Sequence, residues 1–157
     1  MSNLQDTFDH MTARIGQANT PSEWFTLDQA RVDQFGAATL DDQWIHCDPD
    51  RARDGPFGQT IAHGQLTLSI MELLPLPADA VRFDDLDTID LIINYGFNKV
   101  RFPSPVPVGA RIRAHTVLQS VEIKGDMIEA VTEKTVEIEN HNKPACVAIA
   151  IARYVVK

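Results

Sequence analysis

The chain has 157 residues, 44% of them hydrophobic, and a formal net charge of −8. That size and composition fit a single globular domain with its own core. No apolar run approaches the ~18 residues of a membrane-spanning helix, and the acidic balance argues against a nucleic-acid surface. Two cysteines, Cys47 and Cys146, are too few for a disulfide framework, and the N-terminus shows no basic segment followed by an apolar one. A cytoplasmic setting, with no membrane and no nucleic acid among its partners, is therefore expected.

In chain order, Leu4, Phe8, Met11 and Ile15 recur at helical spacing. They predict an amphipathic helix over 2–18, ended by Pro21, as part of an N-terminal extension over 1–20. Thr26-Leu27-Asp28-Gln29 reads as a capping box for a second helix that ends near Thr39. Asp41 and Asp42 follow it, at a helix end where the dipole does not help an anion. Asp48-Pro49 reads as another helix start, with Asp48 as cap, and Gly55-Pro56 as its break.

Residues 61–74 carry apolar side chains around most of a helix and stop at Pro75, which places that helix inside the domain. Strand patterns then occupy 88–94, 99–102, 110–123, 127–139 and 145–156, with turns at Gly125-Asp126 and His141-Asn142-Lys143. Helices followed by a run of long antiparallel strands predict an α+β fold, its curved sheet wrapped about one buried helix.

The chemistry-bearing residues concentrate in two short segments. Asp41 and His46 stand five residues apart in Asp41-Asp42-Gln43-Trp44-Ile45-His46-Cys47-Asp48-Pro49, and Ala62-His63-Gly64 opens the apolar helix. A carboxylate beside an imidazole can move protons, and backbone N–H groups at a helix start can hold a developing oxyanion. Taken singly, Asp41 also reads as a turn acid and His46 as a packed interior histidine. His46-Cys47-Asp48 completes no metal shell, because no second His/Cys cluster accompanies it. No nucleophile elbow, phosphate loop or dinucleotide fingerprint is present.

With Gly55-Pro56-Phe57-Gly58-Gln59-Thr60-Ile61-Ala62-His63-Gly64 and Asn94-Tyr95-Gly96-Phe97-Asn98-Lys99-Val100-Arg101-Phe102-Pro103 added in order, the chain from about Thr26 onward resembles the MaoC-like dehydratases and (R)-specific enoyl-CoA hydratases, their NodN-like branch above all. The resemblance implies a hot-dog fold around the 61–74 helix, a homodimer, and an acyl-CoA substrate hydrated across its 2,3 double bond, or dehydrated in reverse, with neither metal nor organic cofactor. By position it assigns Asp41 and His46 as the catalytic pair and the N–H of Gly64 to the thioester carbonyl. Ser69 matches a position near the acyl group, although a mid-helix Ser also commonly bonds its own helix backbone. His63 reads as organising the helix start. Lys99 and Arg101, with Arg51 and Arg53, are the cations available to CoA phosphates.

Two positions depart from the family pattern: Asp42 stands where His is frequent and Leu40 where Gly is usual. Leu at a position built for glycine either reshapes the turn or narrows the pocket. Two other functions compete with hydration: thioester hydrolysis, known among hot-dog proteins, and acyl-CoA or lipid binding without turnover.

Overall fold

The computed structural model describes residues 3–83 and 86–157. Its elements are α1 (Asn3–Thr12), β1 (Phe25–Thr26), α2 (Gln29–Thr39), α3 (Trp44–Cys47), α4 (Pro49–Arg53), α5 (Gly64–Ile70), β2 (Ile89–Arg101), β3 (Arg111–Lys124), β4 (Met127–Ile138) and β5 (Cys146–Val156). The strands form one antiparallel sheet in the order β1-β3-β4-β5-β2. Strands β3, β4 and β5 are a meander, and Gly125, at a φ of 66°, opens the two-residue turn between β3 and β4. The 88–94 and 99–102 patterns fuse into a single β2 whose register against β5 shifts three times. A further shift between Leu118 and Ser120 interrupts β3. Such bulges raise the local twist, which curls the sheet. This is the expected α+β hot-dog architecture.

Alternation along the strands gives the sheet an inner face, and two helices cover it. Leu66, Met71 and Leu74, in and just after α5, pack with Ile112, Ala114, Val136 and Cys146 at one end. Met11 of α1, fully buried, packs with Leu118, Val121, Ile128 and Ala130 at the other. The N-terminal extension is therefore part of the core. Between the two covers lies a cavity of about 490 Å³. No helix among the described residues is long and apolar enough to cross a membrane.

Three local expectations need correction, and a fourth holds. Helix α1 ends at Thr12 rather than near 18, because Gly16 turns the chain with a φ of 78°. The cap of α2 is Asp28, whose carboxylate accepts from Arg31 N–H at 2.9 Å, and Thr26 instead pairs with Arg111 as part of β1. The central helix is a core of 61–74 only: Ala62 N–H donates to Val106 and Val108 N–H to Thr60, so 60–62 run extended beside 106–108. Past Ile70 the helix decays into turns before Pro75. Asp48 does cap α4, accepting from Arg51 N–H at 3.0 Å, with Pro49 in its first turn.

Leu40 resolves the question its position raises. It is the C-cap of α2 with φ 64° and ψ 19°, in the left-handed region, and its side chain is 88% exposed. The turn is kept, at the steric cost that a Cβ brings there, and the side chain lines neither cavity. Replacing Leu40 with glycine should relieve strain of about 1–2 kcal/mol against about 0.4–1 kcal/mol of added unfolded-state entropy. Urea unfolding of Leu40→Gly is therefore expected to show a higher midpoint at an unchanged slope, a net gain of up to about 1.6 kcal/mol; a lower midpoint would contradict it.

Candidate active site

The segment from Asp41 to Asp48 is clamped onto the segment from Thr60 to Gly64 by bonds running in both directions. Ile61 N–H donates to Ile45 C=O at 3.0 Å. Ile61 C=O lies 2.6 Å from His46 Nδ1. His63 Nε2 meets the backbone carbonyl of Asp41 at 2.8 Å. Gln29, at the start of α2, bridges the same two segments: its Nε2 donates to His46 C=O at 2.7 Å and its Oε1 accepts from Thr60 Oγ1 at 2.6 Å. Gly36 allows the close approach, since a Cβ there would stand 2.9 Å from Cys47 Sγ and 3.0 Å from Asp41 C=O.

These bonds settle the tautomers, because a carbonyl only accepts. His46 carries its proton on Nδ1, which leaves Nε2 as the lone pair. His63 carries its proton on Nε2, and its Nδ1 is enclosed without a partner, the one such side-chain atom among the described residues. An orphaned buried acceptor costs about 1–3 kcal/mol. The two rings stack at 3.9 Å between centroids and 30° between planes, and Phe35 lies against His63 at 5.0 Å. Both imidazoles are buried, whereas Asp41 is exposed.

One polar atom from each of Asp41, His46 and His63 falls within 4.8 Å of the others. A shared cation would need in-plane lone pairs that converge, and stacked imidazoles carry theirs nearly side by side. The triad suits proton chemistry better. Burial pushes the His46 imidazole below its ordinary range, the Ile61 carbonyl opposes that, His63 adds to the lowering, and Asp41 opposes it. His46 is therefore neutral at neutral pH, with Nε2 free to take a proton.

His46 lines a cavity of about 250 Å³ together with Phe57, Ile61, Gly64, Thr67 and Phe102. Gly64 is the first residue of α5, and its N–H donates to no carbonyl among the described residues. A Cβ at Gly64 would stand 3.0 Å from the Phe102 ring, so any larger residue would require that half-exposed ring to give way.

The remaining candidates divide. Asp42 is exposed beside Asp41 and belongs to no part of the triad. Ser69 is exposed and its hydroxyl donates to Gln65 C=O at 2.8 Å, so it is not brought to the cavity in this chain. Lys99 and Arg101 are exposed near the end of β2. Arg101 folds back to Val100 C=O at 2.7 Å and lies one residue from Phe102 at the cavity. Arg53 pairs with Asp50, and Arg51 stacks over Trp44 at 4.5 Å. His63 does not cap its own helix; its side chain crosses to Asp41 instead. Gln29 and the backbone of Ile61 carried no signal of their site role, since Gln29 read as a helix cap and Ile61 as helix core.

Comparison with known proteins gives the family of the chain. The family model described as "MaoC like domain" matches residues 10–141. The chain is 48% identical over 146 residues to 3-hydroxyacyl-thioester dehydratase Z of Mycobacterium tuberculosis, covering 92% of this chain and 93% of the relative. It is 45% identical over 141 residues to Nodulation protein N of Rhizobium leguminosarum bv. viciae, covering 87% and 83%. Among solved structures, the (R)-hydratase from A. caviae involved in PHA biosynthesis superposes with a TM-score of 0.67 at 21% identity, covering 88% of this chain and 94% of that one. Paired carboxylate and imidazole, open glycine N–H and curled sheet thus stand in a chain that belongs to the MaoC-like dehydratase family.

Proposed function

We propose that the protein is an (R)-specific 2-enoyl-CoA hydratase and 3-hydroxyacyl-CoA dehydratase, with Asp41 and His46 as its catalytic pair. The observation that carries this is the tautomer of His46: Nδ1–H is spent on Ile61 C=O, so Nε2 keeps its lone pair, in a ring grouped with the Asp41 carboxylate within 4.8 Å. One water bound between them loses a proton to Nε2 as its oxygen attacks C3 of the enoyl thioester. Negative charge moves to the thioester oxygen, which the open Gly64 N–H receives. The imidazolium, steadied by Asp41, then returns the proton to C2, and the net result is addition of one water. Dehydration runs the same steps backward. No step calls for a metal or an organic cofactor. Arg101 and Lys99, beside the cavity end of β2, are the cations for the CoA phosphates, and the two free thiols suit a cytoplasmic setting.

The dimer belongs to the same proposal. Among the described residues β2 bonds only to β5, so its other edge is unpaired there, and Leu91, Ile92, Ile93, Tyr95 and Phe97 are each 39–55% exposed along it. A long apolar edge invites a second strand, and a second copy of this chain supplies one. Light scattering should report a dimer for the wild type and a monomer for Leu91→Lys/Ile93→Lys; a monomeric wild type removes this part of the proposal.

Activity tests the pair directly. Loss of the enoyl-thioester absorbance on adding crotonyl-CoA or longer 2-enoyl-CoAs should fall by roughly 10²–10⁴-fold in Asp41→Asn and in His46→Gln, the range for removal of a general base. Variants as active as wild type, or release of free CoA thiol in place of hydration, would defeat the assignment.

The pH dependence follows from the direction of the His46 shift. A free imidazole titrates near ~6.5, and folded His46 titrates below it, so kcat/KM should stay level through that point and lose its acid limb only at lower pH. Stability has the corresponding sign. Above about 6.5 neither folded nor unfolded His46 holds the extra proton; as pH falls below it the unfolded chain binds one first and stability declines, until the folded value is passed. The His46→Gln protein should lack that component of the decline in urea titrations.

A further inference from the structure

The proposed chemistry uses Asp41 and His46 but leaves unexplained why a second histidine is buried between them. His63 is almost wholly enclosed, yet one of its nitrogens has no partner. A residue needed only for packing would be better served by an apolar ring, which has no lone pair to bury. What His63 gains is on its other side: Nε2–H donates to the backbone carbonyl of Asp41 at 2.8 Å, directly after the left-handed turn at Leu40. Its ring face meets His46 at 3.9 Å. No other side chain among the described residues donates to the Asp41 carbonyl.

We infer that His63 is a positioning residue with two separable tasks: its Nε2–H tethers the Asp41 backbone, and its ring fixes the plane of the His46 imidazole. The inference rests on the Asp41–His46 reading of the reaction. The first task sets where the carboxylate stands, because Asp41 is exposed and its own side chain makes no hydrogen bond among the described residues. The second keeps His46 Nδ1 aligned on Ile61 C=O and water away from the ring. The groups facing His46 are the Ile61 carbonyl, His63 and Asp41; burial, to which the stacked ring contributes, is the largest cause lowering its titration, and the charge of His63 lowers it further.

Two substitutions separate the tasks. His63→Gln keeps a donor near Nε2 and removes the ring; His63→Phe keeps a flat ring and removes the donor. In His63→Phe, kcat is expected to fall by about 10²-fold, the loss a misplacement on the order of 1 Å produces, while the His46 titration followed by NMR stays low. In His63→Gln, kcat should fall less, about 3–10-fold, a small part of that positioning loss, with the His46 midpoint and the acid limb of kcat/KM both moving up toward the free imidazole. If either variant folds and leaves both kcat and the His46 titration unchanged, His63 only packs and the inference is overturned. Should the Phe variant not fold, the Gln variant alone decides, because its midpoint shift is required. The NMR titration needs no turnover, so it tests the inference even where full activity of Asp41→Asn and His46→Gln has already defeated the proposed reaction.

Discussion

Everything at the site depends on the backbone of Ile61, which binds the opposite segment with both of its polar groups. Its N–H holds Ile45 and its C=O holds the His46 imidazole. Because residues 60–62 are themselves bonded along 106–108, the clamp is anchored to the body of the domain. A short helix such as α3, four residues long, has little stability of its own. Tertiary bonds must hold it, and these do. Remove them and the Asp41–His46 spacing in sequence would define no geometry.

The same constraint accounts for the departure of α5 from the apolar run that encodes it. Apolar residues over 61–74 satisfy a helix and an extended segment equally well, and periodicity does not decide between them. The first three residues give up helical bonds to pair beside 106–108, which lets the helix begin at Gly64. Gly64 lines the cavity with Phe102, where a residue with a Cβ would crowd the ring. Glycine is favoured here by the approach of a neighbour rather than by an unusual φ.

Much of the fold was legible in the sequence because its signals are local. Alternation in β3, β4 and β5, the Gly125 turn and the Asp48-Pro49 helix start all depend on residues close along the chain, and the structure keeps them. Of the candidate site, motif order pointed to Asp41, His46 and Gly64, and the structure groups Asp41 with His46 and lines one cavity with His46 and Gly64. Gln29 and His63 were assigned to the wrong partners: local pattern made one a helix cap and the other a helix organiser, whereas each bonds a residue between 17 and 31 positions away. Side chains that cross between segments leave no periodic trace. Leu40 was visible only as a departure from the pattern of the family it resembles, and the structure gives it a positive φ, a conformation that glycine adopts without strain.

The bonds that build the site are few and lie outside the sheet ladder. The meander β3-β4-β5 is stitched by continuous pairing, while Asp41 to Cys47 is held by three side-chain bonds and a handful of backbone ones. Free energy of opening is therefore unevenly distributed along the chain. The segment that carries the carboxylate and the imidazole can detach and reseat while the strands remain paired, so amide protons of 41–47 exchange with solvent by an event smaller than unfolding. On the proposed reaction, a substrate bridging the two segments would close that route, and protection of these amides would measure occupancy independent of turnover.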